Sequence, residues 1–212
     1  LGKVHLFDRD GINLAESARE MLATDNYLQV QINYEKKKKK PPLFFWMQVA
    51  SMKVFGVNEF AARLPNAVCG ILTLLVLFAL GRRLHNEQFA FWWVLIYAGT
   101  FLPHMYFKSG IIDPWFNLFI FLGIYFLGSF LAAKEERKKI LKPLLLSALF
   151  TGLGILTKGP VAMMVVLLTY GLFLFFNRGK GLAALKHYLW WGLAVIAVTM
   201  LWFGLEIAQH GW

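Results

Sequence analysis

The residues of this chain that could move a proton or hold an anion are few, and they stand at the ends of apolar stretches. Asp10 heads a polar segment, Asp113 is followed by Pro114, Lys158 is followed by Gly159-Pro160, and five lysines run from Lys36 to Lys40 ahead of Pro41-Pro42. A carboxylate so placed can take part in acid–base chemistry, and a lysine can hold an anion. Each also has a structural reading. Asp10 can cap a helix. Asp113-Pro114 has the form of a helix start, because proline favours the first helical position. Lys158 can neutralise the dipole at a helix end where Gly159-Pro160 stops and restarts the chain, and Lys40 can be one more solvated lysine. Spacing alone leaves both readings open. The five histidines, His5, His85, His104, His187 and His210, have no metal-ligand spacing. Glu206 lies near the end of an apolar stretch, where interfacial exposure is the cheaper explanation. Cys69 is the single cysteine, so a disulfide within the chain is excluded.

The elements that must position these residues follow from composition. Hydrophobic residues make up 58% of the 212 and charged residues 16%, against roughly 45–50% and 25% in ordinary soluble domains. Roughly twenty consecutive apolar residues cross a bilayer core as a helix, and stretches of that length recur. The pattern predicts an all-α, polytopic membrane protein with six spans, at 60–81, 88–107, 113–133, 142–157, 160–177 and 187–207. The loops between them are short, so neighbouring helices are antiparallel.

Basic residues in short loops are retained on the cytoplasmic side. Arg82 and Arg83, then Lys134, Arg137, Lys138, Lys139 and Lys142, then Arg178, Lys180 and Lys186 fall in alternate loops. Those loops are expected inside, and Asp10, Asp113 and Lys158 outside; the Lys36–Lys40 run is the one feature against this pattern. An outward N-terminal segment needs an earlier span to carry it across, so a preceding helix is expected. The net charge of +10 does not point to nucleic acid, because about half of the basic residues serve topology and no aromatic-interleaved basic face accompanies them.

Residues 1–57 read as an outer segment and 58–212 as the bundle. Asp10 is expected to cap a helix running to about Thr24 with Ile12, Ala15, Ala18 and Leu22 on one face, lying flat on the membrane. After the lysines, Leu43 to Phe55 reads as a second interfacial helix.

Four motifs in order carry a resemblance: Asp10 with Asn13 to Met21, then Lys40-Pro41-Pro42-Leu43-Phe44-Phe45-Trp46, then Phe55 to Pro65 (Phe-Gly-Val-Asn-Glu-Phe-Ala-Ala-Arg-Leu-Pro), then Leu156-Thr157-Lys158-Gly159-Pro160-Val161-Ala162. Together they resemble the bacterial lipid A aminoarabinose transferases, distant kin of the protein O-mannosyltransferases, with the GT-C membrane fold, and the likeness runs over essentially the whole chain as the N-terminal part of a longer enzyme. The resemblance implies transfer of a sugar, with inversion, from a polyprenyl-phosphate carrier to a lipid, glycan or protein acceptor at the outer face of the bacterial inner membrane, amid membrane lipids. It matches Asp10 to the aspartate of the family's Asp-Glu pair, Asp113 to a second acidic position, Lys40 to the lysine of a Glu-Lys-Pro-Pro-Leu motif and Lys158 to that of a Thr-Lys-Gly-Pro motif. No cofactor is certain, a divalent cation being the one candidate.

Two positions depart from that pattern. Gly11 stands where the pair has its glutamate, and Lys39 where the motif has an acid before its lysine, so weak catalysis is expected of this chain. The competing class is a transporter, channel or assembly factor without transferase activity. Transporters place charges or broken helices near the midplane, often in repeated halves; here the charged candidates sit at outer helix ends and no repeat is evident.

Overall fold

The computed structural model describes residues 9–28, 30–32, 35–36, 41–136, 139–179 and 182–210. Among the described residues the chain is helical apart from one two-residue hairpin, β1 (Gln31–Ile32) against β2 (Glu35–Lys36), paired antiparallel with Gln31 opposite Lys36. The helices are α1 (Arg9–Thr24), α2 (Leu43–Phe55), α3 (Glu59–Leu84), α4 (Glu87–Gly99), α5 (Phe101–Lys108), α6 (Asp113–Glu135), α7 (Leu141–Lys158), α8 (Val161–Phe176) and α9 (Leu185–His210). Of these, α3, α6, α7 and α9 are long and apolar enough to cross a membrane.

Each predicted span coincides with a helix, with one difference. The second is broken at Thr100 into α4 and α5. Pro103 lacks the N–H that would bond back to Gly99, and its ring crowds that carbonyl. The Thr100 hydroxyl instead donates to Tyr97 O at 2.7 Å, closing the end of α4.

Contacts divide the chain into two units, and the division falls inside α6, between Trp115 and Phe116. The first unit therefore joins the segment expected outside the bundle with the spans α3 to α5. Its core is built by Leu14, Ala18 and Met21 of α1, Phe44, Phe45, Val49 and Met52 of α2, and Ala61 and Ala62 of α3, with Ile112 and Trp115 packed against them. α1 ends at Thr24 as expected, but its buried face differs. Leu14, Ser17, Ala18 and Met21 are inside, whereas Ile12 is 47% exposed. The large Leu14 and Met21 flank the small Ser17 and Ala18, a surface that seats the Phe44 and Phe45 rings, so packing against protein sets the face. Asp10 also lies within the first turn of α1, since the helix already begins at Arg9.

α3 is capped by Asn58, whose side chain accepts from Ala61 N at 2.8 Å. Its start lies beside the α5–α6 turn and its end beside the start of α4, because Asn66 bonds residues 109 and 111 while Gly81 meets Ala90. α3 is thus antiparallel to the α4–α5 pair.

The second unit packs α6, α7, α8 and α9 around Ile120, Phe130, Leu144, Ala148, Ile155 and Val166, with Trp191 and Val195. Ser147 is its polar pin. Its hydroxyl donates to Gly123 O of α6 at 2.9 Å and accepts from Trp191 Nε1 of α9 at 3.1 Å, which satisfies every polar atom involved inside an apolar core.

The close crossing of α3 and α4 at Gly81 is testable. A Cβ there would stand 2.8 Å from Ala90 Cα, a backbone atom that cannot swing aside. Gly81→Val is expected to destabilise the chain by about 1–3 kcal/mol, whereas Gly171→Ala, at a position with nothing within 4 Å, has no such clash. Denaturant titration of the two variants in detergent, followed by helical circular dichroism, checks the contrast.

Candidate functional site

In the first unit the α5–α6 turn, residues 109–112, is where the candidate acids meet the scaffold. Asn66 of α3 is fully buried and donates from Nδ2 to Ser109 O at 2.9 Å and to Ile111 O at 2.7 Å. Trp115 Nε1 donates to Pro65 O at 3.1 Å. These three bonds fix the backbone on either side of Asp113, the first residue of α6 and partly buried. The helix dipole favours a carboxylate at this end.

The start of α1 reaches the same turn. Gly11 is buried, and a Cβ on it would lie 3.7 Å from the N, Cα and C atoms of Gly110. Asp10 and Asp113 therefore flank one backbone contact, each within three residues of it, and Asp10 itself is exposed. The 3.7 Å separation is ordinary van der Waals contact, so a Cβ fits at position 11 without displacing the turn.

Behind this contact the first unit buries an unusual amount of polarity. Gln48 of α2 is fully buried and donates from Nε2 to Ala62 O at 3.0 Å, locking α2 to α3. Glu20 of α1 is 1% exposed and Arg63 of α3 is 4% exposed, and neither charge lacks a partner. Gln48 Oε1 and Asn66 Oδ1 find no donor among the described residues. At the unit's surface, hydrogen bonding from Arg19 holds the Glu16 carboxyl below its usual range, and a hydrogen bond with Tyr27 raises the Lys53 pKa.

In the second unit Lys158 ends α7 and is exposed, its Nζ 5.3 Å from the centre of the Phe116 ring. That is cation–π distance, and Phe116 stands one turn after Asp113 on α6. Gly159 then adopts φ 95°, a left-handed conformation that glycine takes without penalty, while its N–H bonds Ile155 O at 2.8 Å. The turn points the Lys158 stem off the end of α7 and lets α8 return at once. Lys40 and Lys39 lie outside the described residues. So do Arg137, Lys138 and Lys180 of the expected inner loops.

Among the described residues no three His, Cys, Asp or Glu side chains gather where they could hold a metal ion. Asn66, Gln48, Glu20 and Arg63 are the residues that reading the sequence left without a role. For Arg63 and Asn66 the available signal was polarity in the first turns of the otherwise apolar α3.

Fold and site together define a multi-pass helical membrane protein of the GT-C type, with acidic and basic residues at helix ends. The family model for dolichyl-phosphate-mannose-protein mannosyltransferases matches residues 39–203, and the chain belongs to that family. It is 30% identical over 163 residues to the undecaprenyl phosphate-alpha-4-amino-4-deoxy-L-arabinose arabinosyl transferase of Photorhabdus laumondii, an alignment covering 76% of this chain and 29% of that protein. Crystal structures of ArnT from Cupriavidus metallidurans share its fold. The apo form gives a TM-score of 0.88 at 24% identity, over 99% of this chain and 39% of that one. The form bound to undecaprenyl phosphate gives 0.83 at 23% identity, over 97% and 38%. The chain thus spans less than two fifths of the length of each of these three.

The Asn66 bonds give a prediction with a defined order. Asn66→Ala leaves two buried carbonyls without their donor, a loss of about 1–3 kcal/mol. Asn66→Asp sets an acceptor against both and costs more. Hydrogen exchange at the amides of residues 109–112 should quicken in the order parent, Ala, Asp.

Proposed function

We propose that this chain forms part of a membrane glycosyltransferase that moves a sugar from a polyprenyl-phosphate carrier to a hydroxyl of a lipid, glycan or protein acceptor at the outer membrane face. Family membership and the likeness to a structure bound to undecaprenyl phosphate support the donor class. The observation that carries the assignment to these residues is the Gly11–Gly110 contact, which sets Asp10 and Asp113 on either side of one rigid turn.

In the proposed reaction Asp10 accepts the proton of the acceptor hydroxyl as its oxygen attacks the anomeric carbon. The bond from that carbon to the phosphate oxygen breaks, and its electron pair leaves with the polyprenyl phosphate. Attack opposite to the leaving group inverts the anomeric centre. Asp113, at the start of α6, orients the acceptor or the sugar. Lys158 and Lys40 offset the charge growing on the departing phosphate. The alternation of basic loops supports an outward site in the bacterial inner membrane, with Asp10, Asp113 and Lys158 on the outer side.

Gly11 and Lys39 weaken this machinery, one by removing a carboxylate next to Asp10 and the other by placing a cation where the family has an acid. A Cβ at position 11 meets Gly110 at ordinary contact distance. In the full-length protein, sugar transfer from a polyprenyl-phosphate donor is expected to rise when Gly11→Glu and Lys39→Glu are introduced together. In that background Asp10→Asn is expected to lower transfer by a factor on the order of 10² to 10⁴. Unchanged transfer in Asp10→Asn would count against the assignment, and equal rates in parent and double variant would count against the weakness ascribed to Gly11 and Lys39.

A further inference from the structure

The second unit carries an apolar groove that none of the proposed steps uses. α7 and α9 run parallel, because Ser147 meets Trp191 near their starts and Gly152 meets Val198 further along. Between them lies a groove of about 970 Å³, walled by Leu145, Leu149, Ala194 and Ala197, with Lys139 and Lys142 at its mouth. The two small alanines on α9 are what leaves it open. Its length along α7, from Lys142 to Leu149, is roughly 10 Å at 1.5 Å per residue, and it runs from the helix end toward the middle of the span.

The mouth is charged in a way that the helix itself does not call for. Lys142 sits in the first turn of α7, where the helix dipole disfavours cations. That turn holds no acidic residue, and Ile140 before it gives no side-chain cap. Lys139 and Lys142 are both exposed. Lys186 in the first turn of α9 adds the same sign at the same end of the pair. Glu135 lines a different groove, between α6 and α8. A dry slot in the span, opening at a doubly basic helix end, matches one kind of molecule in a membrane, an anionic lipid with its phosphate at the surface and an acyl chain inward.

We propose that the α7–α9 groove is a binding site for an acidic glycerophospholipid, with Lys139 and Lys142 holding the headgroup phosphate and the Leu145–Leu149 and Ala194–Ala197 walls seating one acyl chain. This site is separate from the polyprenyl-phosphate reaction and does not depend on it.

The test uses the 212-residue chain in detergent, titrated with phosphatidylglycerol or phosphatidylcholine and examined by native mass spectrometry. The parent is expected to retain one phosphatidylglycerol with a preference over phosphatidylcholine on the order of tenfold. Lys139→Gln with Lys142→Gln should abolish the preference. Ala197→Trp, which fills the groove and leaves every charge in place, should lower phosphatidylglycerol retention to the level of nonspecific adducts, and Ala194→Phe serves in its place if that variant loses its helical circular dichroism. Equal retention of the two lipids by the parent would overturn the proposal. So would phosphatidylglycerol binding at the parent level in the folded groove-filling variant, which would leave surface charge as its cause.

Discussion

The first unit depends on how one short reversal of the chain is held. The α5–α6 turn must pass from a helix end to a helix start among apolar neighbours, and its carbonyls need donors. The Asn66 carboxamide provides two of them, one to Ser109 and one to Ile111. Once the turn is fixed, Gly11 can lie flat on Gly110 and Trp115 can reach Pro65. The direction of α1 and the first turn of α6 are then set together. If the turn were free, Asp10 and Asp113 would be two solvated carboxylates on separate helices.

The same economy of contacts explains how α1 packs with α2 and α3 although much of α1 is polar. α1 presents a narrow apolar stripe, and α2 carries the bulk of the hydrophobic material in Phe44, Phe45, Val49 and Met52. Gln48 adds a buried bond from α2 to the backbone of α3. Breaking that bond would leave Ala62 O without its side-chain donor, so the amide specifies register where the rings alone would tolerate sliding.

The helices at the six predicted spans were legible in the sequence because hydropathy over twenty residues averages out local detail, and among the described residues α3, α6, α7 and α9 are the ones long and apolar enough to cross a membrane. What escaped it was local: Pro103 divides the second segment, and the face α1 buries is turned toward Leu14 and Met21, since packing against two phenylalanines rewards shape as well as hydrophobicity. Asp113 and Lys158 were legible as helix ends for the same reason that helices are legible, through Pro114 and Gly159-Pro160. Asn66 was not, since a lone amide in an apolar helix acquires its meaning from carbonyls 43 and 45 residues away. Gly11 was noticed as a missing carboxylate, but the sequence does not reveal that its bareness also forms a contact.

The claim that α1 is docked on the α5–α6 turn is tested most directly by a covalent bond across that contact. In a chain with Cys69→Ala, the pair Gly11→Cys and Gly110→Cys would place thiols on backbones where a Cβ at position 11 lies 3.7 Å from Gly110 Cα, which keeps the two Cα atoms under the roughly 7 Å beyond which a disulfide cannot form. Mild oxidation of the folded protein in detergent, followed by counting free thiols under denaturing conditions, is the measurement. The account predicts that both thiols disappear together and intramolecularly, whereas the pair Gly11→Cys and Gly99→Cys keeps both. Two thiols that stay alkylatable at positions 11 and 110 under the same oxidation would contradict it.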